Sequence, residues 1–257
     1  MSRFFILAAL AAVMFGLLIE KVEAEPREKF NHASFLMDQQ NYEEAYTLYR
    51  EIEESGYLSG PLYLNMAIAL YRQDSLGVAK YYFMKAGEFN QTRSEAVEAL
   101  RYIDEQIEQQ YGSVPELLSS VWRDRIQFEI GIWNLIITGI ILLNIGAILL
   151  AFGWIKPKLL FVMKCVGIPL LACSVLVLLL GSWLEYHAED FERGVIVEQE
   201  VIIHSEPSEA SNEISIAYEG YTVTHNKPKS LQHPEWSYIT LSNGVEGWVP
   251  STGLRNL

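Results

Sequence analysis

The sequence predicts a multidomain membrane protein: an all-α repeat domain, a two-helix transmembrane hairpin and a small all-β barrel. Three observations predict it. Small and apolar residues recur 34 positions apart between Ala33 and Ala86. Two long apolar runs then follow, separated only by Lys156-Pro157-Lys158. After Glu185 the pattern changes to alternation, punctuated by the turn signals Glu219-Gly220 and Asn243-Gly244.

Residues 1–24 read as an export signal. Arg3 precedes an apolar stretch from Phe4 to Ile19, and Val22-Glu23-Ala24 supplies short residues before a cleavage point. Cleaved or retained as an anchor, this segment sends residue 25 onward across the membrane. The parts that follow are acidic. Glu25 to Arg125 holds 10 basic and 17 acidic residues, and Glu185 to Leu257 holds 4 and 12. A phosphate-binding face needs clustered Lys and Arg, so nucleic acid is excluded as a partner and docking on anionic lipid is disfavoured. Both cysteines, Cys165 and Cys173, lie in an apolar run and read as apolar fillers. The polar parts therefore offer no disulfide framework, redox motif or thiol nucleophile.

Residues 25–112 form the helical domain. "NYEEAYTLYREI" aligns with "DSLGVAKYYFMKAG" so that Ala45 matches Ala79, Tyr49 matches Phe83 and Ile52 matches Ala86; upstream, Ala33 matches Ala67 and Leu36 matches Leu70. Small residues at these positions let antiparallel helices approach closely, and Tyr42, Tyr49 and Phe83 fill the seam. The segment resembles the tetratricopeptide repeat family, with units at about 28–56 and 60–90 and a capping helix at about 93–110. Lys29 departs from that pattern, standing where a large aromatic is usual. The resemblance implies a groove for an extended peptide, with Asn65 where some members hold the ligand backbone. The basic partners of that clamp are absent, with Phe30, Glu95 and Ala99 in their places, so a ligand contact and a plain helix residue both stay open for Asn65.

Residues 113–129 read as an amphipathic connector helix, with Ser113 and Glu116 at capping-box spacing and Trp122 and Trp133 near the membrane interface; a plain connector is the other reading. The first span is expected at 130–155, the cytoplasmic turn at 156–158 and the second span at 159–184. Gly139, Gly146 and Gly153 recur every seven positions in the first span, and Gly167, Ser174 and Gly181 do so in the second. Folding the chain at Lys156-Pro157 brings together positions whose numbers sum to 313, so Gly146 meets Gly167, Gly139 meets Ser174 and Gly153 falls beside Leu160. Lys156, Lys158 and Lys164 mark the hairpin tip as cytoplasmic by the positive-inside rule. This places both large domains on the opposite, non-cytoplasmic side of the membrane, which the family resemblances given below imply is the periplasmic side of a bacterial inner membrane.

Residues 185–257 read as short strands. "VIIHSEPSEAS", "AYEGYTV" and above all "EWSYITLSNGVEGWVPSTGL" resemble the bacterial SH3-like (SH3b) family. That resemblance implies a small barrel recognising peptides, cell-wall stem peptides among them. The candidate groove aromatics are Tyr218, Trp236, Tyr238 and Trp248. Each could equally be core, and for Trp248, after a tight glycine, core packing is the favoured role. His204 stands where many members carry Arg. His225, His233 and Glu235 lack zinc-ligand spacing, so no metal site or cofactor is expected.

This order of parts resembles a member of the bacterial aerotolerance (Bat) operon family. The resemblance implies scaffolding with membrane proteins carrying von Willebrand A domains and with a MoxR-type ATPase. From the residues themselves the reading is a membrane-anchored, non-catalytic binding protein, with a peptidoglycan sensor or tether as the alternative. No nucleophile–base set or phosphate loop is evident.

Overall fold

The computed structural model describes residues 26–115, 132–188 and 190–257. The expected signal peptide and nearly all of the expected connector helix, Trp122 included, lie outside the described residues.

Five helices build the N-terminal domain: α1 (residues 26–38), α2 (Tyr42–Glu54), α3 (Gly60–Tyr71), α4 (Leu76–Gly87) and α5 (Arg93–Tyr111). The turns after α1 and α3 are built alike. Gln40 and Asp74, 34 positions apart, both take the left-handed conformation, with φ of 60° and 57°. Asn41 N–H then reaches back to the Leu36 carbonyl at 2.9 Å, and Ser75 N–H to that of Leu70 at 3.1 Å, closing each helix with the same six-residue cap. Helix α3 starts where Ser59 Oγ accepts from Leu62 N–H at 3.3 Å and Pro61 fits the first turn.

Inside the domain, Ala33, Ala45, Ala67 and Ala79 are fully buried, which is what lets the helices close on one another. A polar knot ties three of them. Lys85 Nζ donates to Glu53 Oε1 at 2.9 Å and lies 4.4 Å from the centre of the Tyr63 ring, while Tyr82 Oη donates to Glu53 Oε2 at 3.0 Å. Burial alone would lower the Lys85 ammonium, but its bond and ion pair with Glu53 outweigh that and hold it above its ordinary value. Lys29 pairs with Glu51 at 3.1 Å, tying α1 to α2.

Two long apolar helices follow, α6 (Ile132–Ile155) and α7 (Leu160–Ala188), joined through Lys156 and a 3-10 turn at Pro157–Leu159. Within them Trp133–Ile155 and Phe161–Tyr186 are long and apolar enough to cross a membrane. Pro169 sits inside α7.

The C-terminal part is one antiparallel sheet of seven short strands: β1 (Phe191–Ile196), β2 (Glu200–His204), β3 (Glu213–Tyr218), β4 (Thr222–Asn226), β5 (Trp236–Leu241), β6 (Glu246–Pro250) and β7 (Leu254–Asn256). A single helical turn, α8 (Lys227–Ser230), links β4 to β5. The strand order is β3-β2-β6-β5-β4-β1-β7. Ile196, Ile203, Ile239 and Val249 form its fully buried centre. The barrel expected from the strand pattern is not closed: β3 and β7 end the sheet without pairing to each other. β3 pairs only with β2 and the three-residue β7 only with β1, so each keeps one edge out of the sheet.

Helix α4 joins the two domains. Its N-terminal turn packs on β1 so closely that a Cβ added at Gly77 would lie 2.5 Å from the Ile196 carbonyl oxygen, a distance no other residue tolerates without moving backbone. Gly77 N–H donates to Glu219 Oε1 at 2.8 Å, and Lys80 Nζ reaches the Gly220 carbonyl at 2.8 Å and Asp104 at 2.6 Å. Gly220 holds φ at +80° and lies against Ile107 of α5. Beside it the Tyr218 and Tyr111 rings stack, 4.9 Å apart and 9° from parallel. Tyr221 touches both hydrophobic cores, and its hydroxyl bonds the Tyr111 and Gly112 carbonyls at 3.2 Å.

Candidate functional site

The strongest candidate surface lies on the outer side of β5 and β6. Along β5 the side chains alternate, with Ser237, Ile239 and Leu241 buried and Trp236, Tyr238 and Thr240 half-buried on the other face. Along β6, Gly247 and Val249 face the core and Trp248 does not. Antiparallel register sets Tyr238 opposite Trp248 and Trp236 opposite Pro250. The Tyr238 and Trp248 rings meet edge to face at 5.2 Å, and His233 caps Trp248 at 5.0 Å. His204, brought alongside by the β2–β6 pairing, meets Trp236 edge-on at 5.4 Å. Its Nδ1 is buried with no hydrogen-bond partner.

Three of the four sequence-nominated aromatics thus share one face, and Trp248 corrects the expectation that it packs in the core. Its tight neighbour explains the difference. Gly247, not Trp248, occupies the crowded inner position, where an added Cβ would lie 2.6 Å from both the His204 carbonyl oxygen and Ile203. The fourth, Tyr218, is stacked in the interdomain seam and is not part of this face.

The loop carrying α8 frames the face. Asn226 Oδ1 caps the turn by accepting from Lys229 N–H at 3.1 Å, which helps set Lys229 Nζ 3.8 Å above the Tyr238 ring centre. Ser230 Oγ accepts from Tyr238 N–H and donates to the Asn226 carbonyl, both at 2.8 Å. His225 Nε2 lies 2.9 Å from the same oxygen, and its Nδ1 lies 3.8 Å from Glu192. The order Ser–His–Glu invites a catalytic reading, but the hydroxyl is already committed to two backbone groups and His225 is 8% exposed. Burial, opposed by Glu192, lowers the pKa of this imidazole. His233 sits apart, against Trp248, so the His225, His233 and Glu235 trio does not converge on one point.

In the helical domain, Asn65 is engaged internally. Its Nδ2 donates to Tyr49 Oη at 3.2 Å, that hydroxyl lies 3.0 Å from Ser34 Oγ, and Ser34 Oγ donates to the Phe30 carbonyl at 2.9 Å. Burial raises the Tyr49 phenol above its ordinary value, partly offset by these bonds.

The six small residues of the apolar pair, Gly139, Gly146, Gly153, Gly167, Ser174 and Gly181, are the buried positions among the described residues of α6 and α7. Gly146 and Gly167 face each other, a Cβ added to either lying 3.3 Å from the other's carbonyl oxygen. A Cβ added at Gly139 would meet Leu178, four positions beyond Ser174, as one at Gly146 would meet Leu171, four beyond Gly167. Leucines fill the space over each glycine at one constant offset: Leu171 covers Gly146, Leu150 covers Gly167 and Leu178 covers Gly139. Lys156, Lys158 and Lys164 are exposed at the tip, and Cys165 and Cys173 are exposed on the outside of the pair.

Sequence reasoning missed the seam. Glu219-Gly220 read only as a turn, and Lys80 and Gly77 only as parts of a repeat. One signal was present: Gly77 and Lys80, three positions apart and so on one face of the helix.

No family model and no curated protein matches this sequence.

Proposed function

We propose that this protein is a non-catalytic scaffold of a bacterial inner membrane that presents a tetratricopeptide-type module and an SH3-like module, docked together, on the periplasmic side. The observation that carries this reading is the half-exposed Trp236–Tyr238–Trp248 face, an aromatic surface framed by Lys229 and His233 of the neighbouring loop. The similarly bonded turns 34 positions apart support the repeat reading. The interdomain seam supports one topology. Two domains that touch must lie on the same side, and a two-helix hairpin between them returns the chain to that side. The lysines at the tip support a position of both domains outside the cytoplasm. Resemblance to the Bat aerotolerance system supplies the partners: membrane proteins with von Willebrand A domains, working with a MoxR-type ATPase.

A second reading has the same face holding a peptidoglycan stem peptide, making the protein a cell-wall sensor or tether; the aromatic rings favour it as much as a protein partner. A photo-crosslinking residue placed at Tyr238 of the full-length protein in membranes separates the two. The scaffold reading expects a crosslink to a von Willebrand A-domain protein. The tether reading expects co-sedimentation with purified cell wall, lost in Trp236→Ala. Neither result would mean that this face does not bind. A reporter at Lys158 is expected to behave as cytoplasmic, and the opposite result overturns the topology.

A further inference from the structure

A second contact surface lies where the sheet adjoins the apolar helices. Asp190 stands two positions beyond the end of α7, and its carbonyl accepts from Lys227 N–H at 3.0 Å. Strand register agrees. β1 leaves α7 at Phe191, and antiparallel β4 returns to set Asn226 opposite Phe191. β5 runs back alongside β4, with Ile239 opposite His225, so the link from Lys227 to Glu235 sits at this same end of the sheet.

The depth of this link follows from the helix. Trp183 and Tyr186 are exposed near the end of the apolar span, as rings at a membrane–water boundary are. Asp190 follows Tyr186 by four positions, a rise of about 6 Å at helical spacing. The headgroup layer on each side of a bilayer is about 5–8 Å thick. Lys227, bonded to Asp190, is thus held at headgroup depth. Leu231 N–H bonds back to the Lys227 carbonyl at 3.0 Å, which keeps Leu231 within one turn of it.

What the turn presents fits that depth. Leu231 is 79% exposed, more than any other large apolar side chain outside α6 and α7 among the described residues, and it belongs to neither hydrophobic core. The turn carries two of the four basic residues found between 185 and 257. Lys227 is held by Glu192 at 2.6 Å, whereas Lys229, over the Tyr238 ring, has no ion pair among the described residues. Trp236 opens the strand that follows. An exposed leucine with lysine and tryptophan beside it is the composition of an interfacial contact. The rest of the domain is acidic, which confines contact with lipid to this turn.

We propose that the α8 turn is a second membrane contact: Leu231 enters the boundary between headgroups and acyl chains beside the end of α7, with Lys229 at the phosphate level. Two points, the exit of α7 and this turn, then fix the tilt of the sheet domain and bring the Trp236–Tyr238–Trp248 face close to the membrane surface. This inference rests on the reading of α6 and α7 as membrane spans.

The test uses full-length protein carrying Cys165→Ala and Cys173→Ala, in nanodiscs of phosphatidylethanolamine and phosphatidylglycerol. A bimane label is attached singly through Gln232→Cys on the turn, Leu176→Cys in α7, or Glu246→Cys at the far end of β5 and β6. Quenching by nitroxide-bearing lipid and by aqueous iodide is read for each. The Leu176 label is expected to respond to the lipid quencher alone, and the Glu246 label to iodide alone. The Gln232 label is expected to respond to the lipid quencher and to lose most of the iodide response seen at Glu246. Adding Leu231→Asp should return it to iodide; the side chain is exposed, so the melting temperature stays unchanged. The proposal is overturned if the Gln232 label behaves like the Glu246 label, or if Leu231→Asp changes nothing. It is also overturned if neither quencher reaches Gln232, which would assign the turn to a protein contact such as a second copy. An iodide response at Leu176 would instead overturn the membrane reading itself.

Discussion

Helices α2 and α4 begin 34 positions apart, and they differ on their outer faces. In α2 only Ala45, Tyr49 and Ile52 are buried, a single stripe at helical spacing. In α4 the matching stripe, Ala79, Phe83 and Ala86, is joined by Leu76, Gly77, Lys80 and Tyr82. Shifted by 34 positions, Gly77 corresponds to Glu43, which is exposed, and Lys80 to Tyr46, which is half-buried. The repeat pattern dictates the inner stripe of both helices. What the outer stripe does depends on a partner more than a hundred residues away, and among the described residues only α4 has one.

The most direct way to break this difference is to give α4 the residue of α2. Gly77→Glu drives a side chain into the Ile196 backbone, and it is expected to separate the domains and cost on the order of 3 kcal/mol. Thermal unfolding and protease sensitivity of the full-length protein in detergent read it out. The counterpart Glu43→Gln should stay within about 0.5 kcal/mol of wild type. A loss of stability in both variants would remove the distinction between the helices.

A smaller effect is expected from Lys80→Met, which keeps the stem but leaves the Gly220 carbonyl without its donor. Asp104 is half-exposed and rehydrates. The expected loss is about 2 kcal/mol, measured by chemical denaturation. A neutral result would show that apolar contact alone holds the seam.

The smallest effect comes from pH and sharpens the comparison. Because burial lowers the His225 pKa in the folded protein, the unfolded chain takes up its proton first as pH falls. The sheet domain's stability is therefore fully present above about pH 6.5 and declines below it, by no more than about 1.4 kcal/mol per pH unit. His225→Gln should flatten this decline. If α4 couples the domains, the helical domain's melting point falls with the sheet's in the wild type but not in Gly77→Glu. Independent melting in the wild type would show the seam to be weak.

Much of the architecture was legible because it is written in local periodicity. The helix ends, the apolar pair and the strands follow from spacings of a few residues, and the small residues of α6 and α7 mark the face those helices bury. The candidate site was legible in part. Alternation along β5 put Trp236 and Tyr238 on one face, but it gave no sign that Trp248 would join them, since that depended on which of Gly247 and Trp248 met Ile203. Tyr218 had the same credentials as Tyr238 and a different fate, because Tyr111 happens to stack on it.

By itself the sequence determined the order of the parts, the helical and strand periods, the hairpin and its charged tip, since each depends on neighbours along the chain. Only the tertiary structure decided that α4 is covered on both sides, that the sheet stays open at β3 and β7, and that Glu219 ends buried at the seam. Those outcomes come from shape and charge meeting across large separations in sequence, where the sum of many contacts chooses the partner and no single segment carries the pattern.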